Sequence, residues 1–155
     1  CPGASARRRR KGGIQRNGIG RSRGGLTTKV HTRANAEGLA VGFHVTPGQA
    51  SDMTAYDDLM AEDAPLPEAM LGDKGYDSDA IRRQVENVGV MPNIPPKANR
   101  KWKNCFSPFL YRNRNAIERM FCRLKDFRRI DTRYDRSATN FLAAVCIAAT
   151  ISYWL

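Results

Sequence analysis

The chain has 155 residues, 41% of them apolar, and its 26 Lys and Arg against 15 Asp and Glu give a net charge of +11. That length and apolar content suit one folded domain and exclude a chain disordered throughout. Ten bases precede the first acid, Glu37; from Glu37 to Ala98 eleven acids outnumber four bases, and from Arg100 to Arg136 twelve bases outnumber four acids.

In chain order, residues 1–24 form a Gly- and Arg-rich basic arm with the run Arg7, Arg8, Arg9, Arg10 and Lys11 and no apolar periodicity, expected to be flexible. Its glycines follow no strand and lack a Gly-Lys-Ser/Thr ending, so they make no phosphate-binding loop. Nothing before Leu26 reads as a strand. Leu26 to Arg33 and Leu39 to Thr46, with Asn35 to Gly38 between, alternate as a β-hairpin does. Ser51 or Asp52 is expected to cap a helix running to about Glu62. Ala69 to Leu71 is a short strand stopped by Gly72-Asp73-Lys74-Gly75, and Ser78 or Asp77 caps a helix ending at Gly89. Val90 to Ile94 is a further strand, and a basic loop from Lys97 to Ser107 contains Trp102. A long helix begins near Pro108, and an apolar helix follows Ser137. A hairpin followed by alternating helices and strands implies an α/β fold with a mixed sheet flanked by helices.

Two basic blocks around an acidic middle favour a polyanionic partner, nucleic acid rather than an anionic membrane, because the amino end shows no amphipathic basic helix with aromatic anchors. The apolar run Phe141 to Leu155 is too short to span a bilayer comfortably and reads as a buried terminal helix. Cys1, Cys105, Cys122 and Cys146 form no Cys-x-x-Cys pair, Cys146 lies in the apolar helix, and a reducing cytoplasm fits best. The opening Cys-Pro-Gly, in place of Met, suggests a fragment.

Tyr111, Arg114, Glu118 and Lys125 fall within an arc of about 60° on a helix. Ile117, Met120, Phe121, Leu124 and Phe127 form a neighbouring apolar stripe. A solvated face with a Glu118–Arg114 ion pair explains this as well as an active site does. Asp73 stands just past the end of a strand expected to be central, where ligands of open α/β sheets gather; a simple turn aspartate is the alternative. Together, Asp73 and Glu118 are a pair able to hold Mg²⁺ through hard oxygen ligands.

Four stretches in order resemble the DDE transposases of bacterial insertion sequences, the type with a Tyr-Arg-Glu-Lys signature. They are Gly20 to His31 (GRSRGGLTTKVH), Val45 to Asp52 (VTPGQASD), Gly72 to Asp77 (GDKGYD), and the Tyr111/Arg114/Glu118/Lys125 spacing. The resemblance covers nearly all of residues 20–155. It implies a ribonuclease H-like catalytic region over 25–155, DNA transposition by metal-dependent strand cleavage and transfer, and two Mg²⁺ ions replaceable by Mn²⁺. It makes Asp73 the second acid and Glu118 the third, both metal ligands, with Tyr111, Arg114 and Lys125 as supporting residues. The family's first acid lies upstream of the basic Gly-rich stretch, on the first strand of the sheet. No acid precedes Glu37, so the expected fold lacks that strand, and Asp52 at a helix start is a poor substitute.

The implied partners are double-stranded DNA, contacted by Arg7 to Lys11, Arg21 and Arg23, and further copies of the chain in a synaptic complex. The implied location is the bacterial cytoplasm, at the nucleoid, with no membrane. A non-catalytic DNA-binding remnant is the alternative reading. Of the two histidines, His44 is expected to be structural or exposed, and His31 either structural or a phosphate or active-site contact. Trp102 is either a stacking platform for an unpaired base or a core anchor.

Overall fold

The computed structural model describes residues 17–23, 25–61 and 64–155. The basic run Arg7 to Lys11 and Cys1 lie outside the described residues. In order come β1 (Gly20–Ser22), β2 (Gly25–Ala34), β3 (Ala40–Pro47), α1 (Tyr56–Met60), β4 (Ala69–Leu71), α2 (Asp79–Asn87) and β5 (Met91–Asn93). They are followed by α3 (Pro108–Tyr111), α4 (Asn115–Lys125), α5 (Arg128–Asp131) and α6 (Ala138–Tyr153).

The hairpin forms as expected because β-branched residues alternate across a turn that Asn35 organises. The Asn35 carboxamide oxygen accepts from the backbone N–H groups of Glu37 and Leu39, and Gly38 supplies the left-handed φ of +85°. β2 and β3 pair antiparallel with Val30 opposite Val45 and His31 opposite His44. That register gives the hairpin two unlike faces. Val30, Phe43 and Val45 pack on a core of Met120, Leu124, Phe141 and Val145, supplied by α4 and α6. Lys29, His31, His44 and Thr46 form the opposite, polar face.

Residues 20–22, expected to lie in the flexible arm, instead form a strand. β1 pairs antiparallel with β2, Gly20 opposite Thr27. The cause is tertiary. Arg133 donates to the carbonyls of Asn17 and Gly18, at 2.5 and 3.0 Å, and Thr28 Oγ1 donates to Gly18 at 2.6 Å. A Cβ at Gly20 would fall 2.9 Å from Pro47 Cβ and into the Gln49 side chain, so the close approach needs glycine.

The expected single mixed sheet is two sheets. β1-β2-β3 is antiparallel, and β4-β5 is a separate parallel pair with Ala69 opposite Met91, joined by the α2 crossover. β4 is therefore not the central strand of one sheet among the described residues. A second core of Tyr56, Ile81, Val85, Val90 and Ile94 packs α1, α2 and β5 together.

Three helix expectations also change. The helix after Ser51 starts as a 3₁₀ turn, Asp52–Ala55, with no side-chain cap, because Asp52 is drawn to Lys29 Nζ at 2.9 Å. Ser78 alone caps α2, accepting from Ile81 N–H. The long helix from Pro108 is broken by a 3₁₀ turn at Arg112–Arg114.

The terminal helix α6 is buried on one side only. Phe141, Val145, Ala148 and Ala149 face the core, while Ile147, Ile151 and Trp154 are exposed. Cys105, Cys122 and Cys146 are exposed and form no disulfide among the described residues. Among the described residues, no helix is long and apolar enough to cross a membrane.

Candidate active site

Asp73 follows β4 after Gly72 and opens a 3₁₀ turn, Lys74–Tyr76. One carboxylate oxygen accepts from the Lys74 backbone N–H at 2.6 Å, capping that turn. The turn sits tightly. A Cβ at Gly72 would meet Ile94 at 3.0 Å, and one at Gly75 would come 2.3 Å from the Asp52 carboxylate. The two glycines are thus required by close packing rather than by positive φ.

Glu118 lies in the first turn of α4, whose apolar side is fixed by buried Met120 and Leu124. Its partner is Arg114, one turn earlier. The Arg114 guanidinium reaches Glu118 Oε1 with Nη2 at 2.5 Å and Asp73 Oδ2 with Nη1 at 3.3 Å. One planar cation thus bridges two carboxylates that are 41 and 4 residues away from it in sequence. Both carboxylate side chains are 57% exposed, so solvent and a ligand reach them.

The Tyr111 ring supports the bridge, lying 5.3 Å from the Arg114 guanidinium carbon and edge-on to Phe106 at 5.2 Å. Burial pushes the Tyr111 phenol up, Arg114 draws it down, and Asp73 and Glu118 raise it again. The net rise leaves the hydroxyl protonated at neutral pH.

Four of the residues singled out in the sequence, Asp73, Tyr111, Arg114 and Glu118, therefore meet in space. Lys125 does not join them. It stands about 10 Å further along the helix axis, exposed at the end of α4. Arg21 and Arg23 are exposed at and after β1. Trp102 is no core anchor: it is 86% exposed and shares an open pocket of about 480 Å³ with Lys97, Asn99, Arg100 and Lys101.

His44 pairs with Asp58 at 3.3 Å on the surface of α1. His31 makes no contact with either carboxylate. It is buried between Tyr76 Oη at 2.9 Å and Thr46 Oγ1 at 2.8 Å.

Sequence reasoning missed the role of Asp77. Its side chain is fully buried and accepts from Arg82 Nε at 2.9 Å, Arg100 Nε at 2.7 Å and the Lys97 backbone N–H at 2.8 Å. A buried carboxylate so near the site could have been suspected only from its place in the same Gly-Tyr-Asp stretch.

The donor set of Asp73 and Glu118 is carboxylate oxygen alone, suited to a hard divalent cation. A guanidinium already sits between them, which shows that the space between the acids attracts positive charge. Among the described residues, no group of three His, Cys, Asp or Glu is placed to hold a metal. The donor chemistry of the pair suits such an ion, and the described residues do not complete a site for two.

A family model described as the transposase DDE domain matches residues 3–154. The chain belongs to that family. It is 29% identical over 131 residues to a putative transposase for insertion sequence element IS6501 of Brucella ovis, covering 84% of this chain and 99% of that protein. It is also 29% identical over 144 residues to a transposase for insertion sequence element IS1106 of Neisseria meningitidis serogroup B. That match covers 86% of this chain but 48% of the relative, so the chain spans about half the length of this second transposase. No solved structure matches. This DDE transposase of insertion sequences is thus identified by its sequence relatives, and its architecture is mixed α/β.

Proposed function

We propose that this transposase domain serves DNA transposition by metal-dependent strand cleavage and strand transfer at insertion-sequence ends, with Asp73 and Glu118 as two of its acids. The observation that carries the reading is the Arg114 guanidinium bridging the two carboxylates from separate elements. A hairpin followed by β4, α2 and β5 supports a ribonuclease H-like arrangement.

Asp73 and Glu118 would hold Mg²⁺, or Mn²⁺ in its place. Bound there, such an ion would supply Lewis-acid stabilisation of charge on a phosphoryl oxygen. The chain's own residues do the rest. Arg114, freed from one carboxylate, contacts a phosphate oxygen through its planar fork. The Tyr111 hydroxyl donates to phosphate or to Glu118. Lys125 and the exposed Arg21 and Arg23 neutralise DNA backbone further out, as would the Arg7–Lys11 run. Trp102 among its lysines offers a face on which an unpaired base stacks. Further copies of the chain would bring two element ends together, in the bacterial cytoplasm at the nucleoid.

A second reading has its own observation. Two carboxylates rather than three gather among the described residues, and a two-acid centre would leave a DNA-binding chain that hardly cleaves. Labelled DNA carrying the element's ends, incubated with the chain and Mg²⁺ or Mn²⁺, separates the two. The expected result is weak, metal-dependent nicking that Glu118→Ala abolishes. Salt-sensitive binding with no nicking under either metal would favour the remnant.

A further inference from the structure

Asp73 and Glu118 are carried by different hydrophobic cores. Glu118 rides on α4, which packs through Met120 and Leu124 on the apolar face of the hairpin. Asp73 follows β4, whose Met70 packs with Tyr76 on the second core of Ile81, Val85 and Ile94. Besides the Arg114 bridge, the separation of the two acids therefore depends on how the Asp73 turn is held against the hairpin, and there the contacts are polar.

His31 is central to them. It neighbours Val30 in β2 but points to the opposite face, as the two-residue period of a strand dictates. Its two ring nitrogens lie 2.9 Å from Tyr76 Oη and 2.8 Å from Thr46 Oγ1 of β3. Tyr76 closes the turn, its backbone N–H donating to the Asp73 carbonyl at 2.9 Å. On the other side of the turn, Asp52 presses against Gly75 and is held by Lys29 of the same strand face.

The chemistry suits a rigid link. Burial lowers the His31 pKa, partly offset by Asp52 and reinforced by Lys29 and His44, so the ring is neutral near pH 7. One ring nitrogen then accepts while the other donates. Tyr76, its phenol pushed up to about 12 chiefly by burial, keeps its proton.

We propose that His31 and Tyr76 are positioning residues that clamp the Asp73 turn to the hairpin and so set the distance between Asp73 and Glu118. This rests on the reading of those two acids as the metal-holding pair. Neither His31 nor Tyr76 touches substrate; they act through the turn.

The test uses the full chain with two nitroxide labels, one at Arg83→Cys on α2 and one at native Cys122 on α4, the other cysteines replaced by serine. Tyr76→Phe removes a single hydroxyl. It is expected to broaden the label-to-label distance distribution and to weaken Mn²⁺ binding, read by the free-ion EPR signal, about tenfold, the low end for residues that orient metal ligands. His31→Ala should do the same. Ile81→Val, which loosens the second core but keeps both hydrogen bonds of His31, should leave both readouts as in the parent chain. Unchanged distances in Tyr76→Phe, or equal changes in Ile81→Val, would overturn the clamp. If Mn²⁺ binds no form of the chain, the metal reading of the pair fails instead, and the distances alone decide the clamp.

Discussion

Asp77→Ala is expected to destabilise the fold by about 3–5 kcal/mol, the cost of leaving one member of a buried ion pair uncompensated. Against a total stability of about 5–15 kcal/mol for a domain, that loss unfolds a large share of molecules. The argument lies in what remains behind. Arg82 is 3% exposed and donates to Asp77 and to the Ile94 carbonyl at 2.7 Å; without Asp77 its charge is buried and half-bonded.

Titration gives an independent check. Burial pushes the Asp77 carboxyl up, but the bonds from Lys97 N–H, Arg100 and Arg82 outweigh it and hold it below its ordinary value of 3.8. A depressed folded pKa contributes stability that is fully present above that ordinary value and lost as pH falls through the folded one. Urea unfolding at neutral pH should therefore show the full difference between Asp77→Ala and the parent, and the difference should shrink in acid below pH 3.8. Equal midpoints at neutral pH would show that the network contributes nothing.

DNA affinity is expected to fall about a thousandfold between about 50 and 200 mM salt, as for a protein that neutralises about six phosphates. The cations are present in the right state. Lys101, Lys103, Arg112, Arg119, Lys125 and Arg128 are all exposed, whereas Lys29, Arg82, Arg100, Arg114 and Arg129 are engaged in ion pairs within the described residues. Anisotropy titrations on duplex DNA read the slope directly. Lys101→Ala and Lys103→Ala should each lower the slope by about one unit if their ammonium groups meet phosphate. An affinity indifferent to salt would remove nucleic acid as the partner that the charge layout indicates.

Much of the fold was legible because local signals agreed. The alternating Val30, Thr32, Val41, Phe43 and Val45 marked the hairpin, and Gly72 and Ser78 bounded the segment that holds Asp73. What escaped was set by distant residues. β1 exists because Arg133 reaches back 115 and 116 residues to Gly18 and Asn17, which no window of sequence reveals.

The face of α6 was illegible for another reason. Its residues are apolar nearly all round, so no periodicity distinguishes buried Val145 from exposed Ile147. The spacing of Tyr111, Arg114 and Glu118 assigned them to one face despite the 3₁₀ break, since three of the four still converge. Lys125 shows where that extrapolation stops. The contact of Arg114 with Asp73 joins two motifs that lie 41 residues apart in sequence; hard-cation chemistry and the family resemblance related their acids beforehand, but no local pattern gave the Arg114 bridge.

Mn²⁺ binding to the chain, followed by EPR in the parent, Asp73→Asn and Glu118→Gln, tests the central claim most directly. A unit charge about 4 Å from a dication gains about 2 kcal/mol in water, twice the value for two unit charges. Removing either carboxylate charge should thus weaken saturable binding at least about thirtyfold, at about 1.4 kcal/mol per factor of ten. Binding in the parent that both variants lose is the predicted result. No saturable binding by the parent, or binding that survives both substitutions, would contradict the assignment of Asp73 and Glu118 as a metal-holding pair.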